Sequence, residues 1–184
     1  AGPFGPDKHD ADLRGIFILD EADTDSARAM AAEDPPTRAG VFRQEIVPLI
    51  TLNVIRALPA METQRQHERA ERGDDLSRPD VRAYTIVTAP RGDETFQTVF
   101  QHPAIALDVV LVAKLGGTRE GELLAILDVP TADEARRRLA IANVDALEIH
   151  VDEWYGSPTL AELAREGGPP PPPPTEDSQA TGDA

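Results

Sequence analysis

The chain has 184 residues, enough for one domain of ordinary size or two small ones, and hydrophobic residues make up 40% of it but aromatics only 4%, so alanine and valine must fill much of the interior. Its net charge of −15 repels phosphate backbones and anionic lipid, which argues against nucleic-acid and membrane-surface roles. The absence of cysteine excludes disulfides, thiolate nucleophiles and cysteine metal sites.

In chain order, residues 1–14 (AGPFGPDKHDADLR) are rich in glycine, proline and aspartate and read as a loop. Residues 15–19 form a short apolar strand. Asp23 or Thr24 can cap the helix that follows, which runs to about Ala32 and stops at Pro35-Pro36. After a turn at Gly40, residues 41–49 alternate as a strand, and residues 50–58 are apolar and ambiguous between strand and helix. Residues 59–81 are a polar linker whose middle can be a solvated helix. Strands are then expected at 82–89, 109–115, 123–129 and 147–154, with a short helix at 94–101. A second helix is opened by Thr131, with Glu134 in the capping-box position. A terminal helix begins near Pro158, and Pro169–Pro174 is a polyproline run in a tail expected to be disordered.

One pattern occurs twice. IFILDEADTDSARAMAA at 16–32 and LAILDVPTADEARRRLA at 124–140 superpose at a constant offset of 108, matching Leu19-Asp20 to Leu127-Asp128, Asp25 to Asp133, and Ala27-Arg28 to Ala135-Arg136. Each copy reads as a strand followed by a helix, which predicts an α+β chain built by duplication. The second half has the order βαββαβ of a ferredoxin-like unit. The first half holds only the end of that series, so either the duplication is partial or about 40 residues precede it.

The segments AGPFG, LRGIFILD and ARAMAAEDPPTRAGVFRQEIVPL, with the closing EWYGSPTLAEL, resemble YCII-related domains. The likeness covers about residues 1–49 and 82–163 and rests on Gly2-Pro3-Phe4, Asp34-Pro35 and Ala39-Gly40. It implies two ferredoxin-like halves, at 1–58 (incomplete) and 82–163, joined by the linker 59–81 and followed by a Pro-rich tail at 164–184. Together the halves would form a dimeric-α+β-barrel-like pseudo-dimer, with a further homodimer as an option.

The resemblance also implies chemistry. In that family a His–Asp pair in the cleft is the catalytic unit, and the aspartate of the D-P step matches Asp34. A carboxylate orients an imidazole, which then moves protons near neutral pH. The matching histidine belongs to a helix that the first copy lacks. Ala142 stands opposite Asp34 in the second copy. The 1–15 loop supplies His9, Arg14 and Phe4 as candidate ligand-binding residues and serves as a lid. Read from the residues alone, Asp34 is a pre-proline turn residue, His9 belongs to a solvated polar loop, and His67 lies on a charged helix face. His150 alternates outward on the last strand. No spacing marks a metal site, and no cofactor is called for.

Two functional classes follow. One is a small-ligand-binding or interaction protein. The other is a lyase- or dehydrochlorinase-like enzyme acting on a small organic acid by proton transfer. No stretch approaches the roughly 20 apolar residues of a membrane span. No signal peptide is visible, so a cytoplasmic location is expected. Because the chain opens at Ala1 rather than methionine, the alternative is a periplasmic or secreted protein that has lost an N-terminal segment.

Overall fold

The computed structural model describes residues 2–21, 23–51, 55, 57–90, 98–142 and 148–167. The polyproline run and most of the helix expected at 94–101 lie outside them. Near the N-terminus β1 (Gly2–Pro3) pairs antiparallel with β2 (Gly15–Ile16) in a two-residue ribbon. The helix α1 (Thr24–Ala32) starts where Asp23 accepts the backbone N–H groups of Asp25 and Ser26, as the capping rule requires. Pro35 and Pro36 do more than stop it. They occupy the first turn of a second helix, α2 (Pro35–Arg38), where a missing N–H costs nothing.

The strand expected over 41–49 is shorter and later. Residues 43–48 carry no assigned secondary structure up to Pro48, and β3 is Leu49–Thr51. The helix α3 (Leu58–Glu71) is the solvated helix anticipated in the linker. Then come β4 (Arg82–Ala89), β5 (Val109–Leu115), β6 (Leu123–Leu127), α4 (Ala132–Ile141), β7 (His150–Gly156) and α5 (Thr159–Gly167). Thr131 caps α4 by accepting from the Glu134 N–H at 3.3 Å.

The main sheet has five strands in the order β3-β5-β6-β4-β7, every neighbour antiparallel. Its central strands are apolar on both faces because both faces are covered. On one face Val87, Ala89, Leu123, Ala125, Leu127 and Val151 pack against Ala135 and Leu139 of α4. On the other, Tyr84, Ile86, Leu124, Ile126 and Trp154 meet Leu160 and Ala161 of α5. A register shift between Val109 and Leu111 gives β5 a bulge, and Val110 and Leu111 both join this second core.

The first 58 residues finish the second core. Phe4, Ile16, Ile18, Val47, Leu49, Ile55 and Leu58 are half-buried against it. Ile18 is among them, at the core that holds Ile126, while Phe17 is exposed. They do so as a ribbon, loops and one edge strand. The duplication therefore fails as a structural repeat. Ile16 sits in a two-residue ribbon, whereas residues 124–127 form a central strand of the main sheet. The similar strings share a helix-capping and alanine pattern, and residues 17–21 have no sheet neighbour of the kind that holds β6.

Candidate functional site

The segment G-P-F-G runs along the open edge of β7. Phe4 bridges to Trp154, Gly5 N–H donates to Glu153 O at 2.8 Å, and Trp154 Nε1–H donates to Gly2 O at 2.8 Å. Glycine is needed for this approach: a Cβ on Gly2 would lie 1.6 Å from Tyr155 O, and one on Gly156 would lie 2.4 Å from the Trp154 ring. From Phe4 the chain leaves the strand and returns at Arg14, whose carbonyl accepts the Phe4 N–H at 3.0 Å. The loop between is closed at its base and stiffened by Asp10, which accepts from Asp12 N–H at 2.8 Å.

His9, at the middle of that loop, reaches β7. Its backbone N–H donates to Asp152 Oδ1 at 2.7 Å, and its ring Nδ1 bonds Asp152 Oδ2. Asp152 is 2% exposed and the His9 side chain 29%. An ionised carboxylate can only accept, so Nδ1 carries the proton of the neutral ring and Nε2 is left as an acceptor. His150, two residues before Asp152 and on the same face of the strand, stacks on His9 with ring centroids 4.2 Å apart and planes 7° from parallel. A histidine whose Nδ1 is fixed by a buried carboxylate is the arrangement general acid–base chemistry uses.

The residues singled out from sequence are thus partly brought together. His9 and Phe4 both contact β7. Arg14 closes the loop with its main chain, and its guanidinium donates to Ala11 O at 2.5 Å. Asp34 caps α2: its carboxylate accepts from Thr37 Oγ1 at 2.9 Å and from Thr37 N–H at 3.3 Å. The carboxylate that His9 meets is Asp152. Sequence does not single that residue out, because alternation along the last strand sets Asp152 on the same outward side as His150. Alternation says only that two sets of side chains point to opposite sides. The cover over this side comes from residues 143 positions away. The visible signal was H-x-D at 150–152, which sets an imidazole and a carboxylate on one face of a strand.

A second feature is a cleft of about 520 Å³ between α3, residues 76–81 and Trp154. Among the described residues no group of histidine and acidic side chains could hold a metal ion, and no helix is long and apolar enough to cross a membrane. Comparison with family models, with curated proteins and with solved structures gave no match for this chain.

Proposed function

We propose that this chain is a YCII-like small-ligand-binding protein in which His9 and Asp152 form a proton-transfer pair for a small organic acid. The observation that carries the reading is the buried Asp152 carboxylate on His9 Nδ1, with the ring itself part-exposed. Asp152 holds the ring's orientation and balances the charge of the imidazolium, and Nε2 takes or returns the proton. Two further observations support kinship with the YCII type. Between 82 and 156 the strands stand fourth, first, third, second, all antiparallel, which is the order of a ferredoxin-like unit. Residues 1–58 cover the face that a partner half covers in a dimeric α+β barrel, though with a ribbon, loops and one edge strand in place of a second sheet.

The test is proton exchange. A panel of small carboxylic acids in D2O, followed by NMR, should show catalysed loss of a carbon-bound proton for at least one member. His9→Gln and Asp152→Asn should each lower that rate by about 100-fold or more. A second reading is favoured by the other bond: His9's main-chain N–H also binds Asp152, so the aspartate can serve as a strut for the loop. If no acid exchanges, while both variants only loosen the loop, the protein is a non-catalytic binding or interaction module.

A further inference from the structure

The cleft beside α3 is lined by two carboxylates, Glu62 and Asp80, and two guanidinium groups, Arg69 and Arg78. Its apolar walls are Ile18, Leu58, Leu76, Val81 and Leu160, and Glu62 lines it. The arginines around it are engaged. Arg65 meets Asp80 and Glu162, each at 2.7 Å. Arg69 donates to the carbonyls of Asp75 and Arg78 at 3.2 and 3.1 Å and faces Asp74 at 3.9 Å and Asp80 at 4.0 Å. Arg72 pairs with Asp74 at 3.0 Å and Arg78 with Asp75 at 3.4 Å.

Glu62 is the carboxylate left over. Its partners are uncharged: the Ser157 hydroxyl, the Thr159 hydroxyl at 2.8 Å and the Gln66 amide at 3.5 Å. No ion pair of Glu62 occurs among the described residues. Burial pushes this carboxyl upward, yet the Ser157 and Thr159 hydroxyls, then Gln66 and the more distant Arg65, outweigh it and hold the group below its usual range. An ionised carboxylate fixed by neutral donors in a part-apolar cleft, with no cation bonded to it among the described residues, can take an ammonium as its direct counter-charge. The cleft volume lies within the range of small-molecule sites, and a chain of net charge −15 concentrates cations around itself.

We propose that this cleft binds a small organic amine, whose ammonium pairs with Glu62 while its apolar part lies against Ile18, Leu58 and Leu76. The site stands independently of the His9–Asp152 reading, since neither residue lines the cleft.

Trp154 borders the cleft and is the chain's only tryptophan, so its emission reports on occupancy. The probes are benzylammonium, benzyl alcohol and benzoate, titrated into the intact protein and checked by calorimetry. The expected result is a saturable response to benzylammonium, with the alcohol weaker and benzoate without effect. Glu62→Gln should weaken the amine by about tenfold or more. Leu76→Arg, at a rim position 53% exposed and so safe for folding, should weaken it by placing a new cation at the mouth. The absence of saturable amine binding, benzoate binding as tightly as the amine, or undiminished binding in Leu76→Arg overturns the proposal.

Discussion

Two aspartates offer a clean contrast. Asp34 caps a four-residue helix through Thr37, and asparagine caps as well as aspartate, so Asp34→Asn should leave both stability and proton exchange close to wild type. Asp152→Asn should cost about 1–3 kcal/mol, because a buried charged acceptor for two donors is replaced by a group that presents an amide to one of them. Limited trypsin digestion at Lys8, beside His9, reads the difference: cleavage should speed up in the Asp152 variant and stay slow in the Asp34 one. Equal cleavage in both would mean that Asp152 does not hold the loop. Gly2→Ala should be worse than either, since its Cβ has no room beside Tyr155 O. These details were half legible in the sequence. Composition marked the loop, and the G-P-F likeness drew attention to Phe4. Nothing local could reveal that His9 pairs with a residue 143 positions later, because that pairing is decided by the route of the chain over the sheet.

The elements were easier to read than their partners. Strands at 82–89 and 109–115 and the capped helix at 132–141 follow from β-branched runs and a threonine cap, which are local properties. Residues 15–19 have the same apolar look as 123–127 but make only a two-residue ribbon, since a strand needs neighbours that sequence does not display. Two titrations belong to this scale. Glu62 links α3 to α5 through Ser157 and Thr159. Its folded carboxyl titrates below its ordinary value of 4.5, so its contribution is complete above that pH and is lost as the pH falls through the folded value. Urea unfolding at a series of pH values should therefore show a steeper acid loss in wild type than in Glu62→Gln. Tyr84 works at the other end. Its hydroxyl donates to Ser157 O at 2.8 Å, and burial pushes the phenol up to about 12. The stability held in the neutral phenol is whole below its ordinary value of 10.0 and declines as the pH rises toward 12. Tyr84→Phe should flatten that alkaline decline and cost about 1 kcal/mol at neutral pH.

At the scale of the molecule, one sheet has two cores made in different ways. The α4 side is closed by segments close in sequence to the strands they cover. The Trp154 side needs residues 4–58 as well as α5. A chain lacking residues 1–57 should expose Tyr84, Ile86, Ile126 and Trp154 as an apolar face and self-associate, which light scattering on a sizing column would detect. A shortened chain that stays monomeric with Trp154 still shielded would show that the N-terminal cover is dispensable.

That same cover sets the order of events during synthesis. Gly2, Phe4 and His9 are among the first of these residues to leave the ribosome, yet their partners are Trp154, Glu153 and Asp152. At 5–20 residues per second, roughly seven to thirty seconds pass before β7 emerges to receive them. During that interval the amino-terminal segment has no template, and the ribbon, the loop and the His9–Asp152 contact can form only after the sheet is complete. Loop closure over such a span is slow, so assembly of the candidate site is a late step of folding.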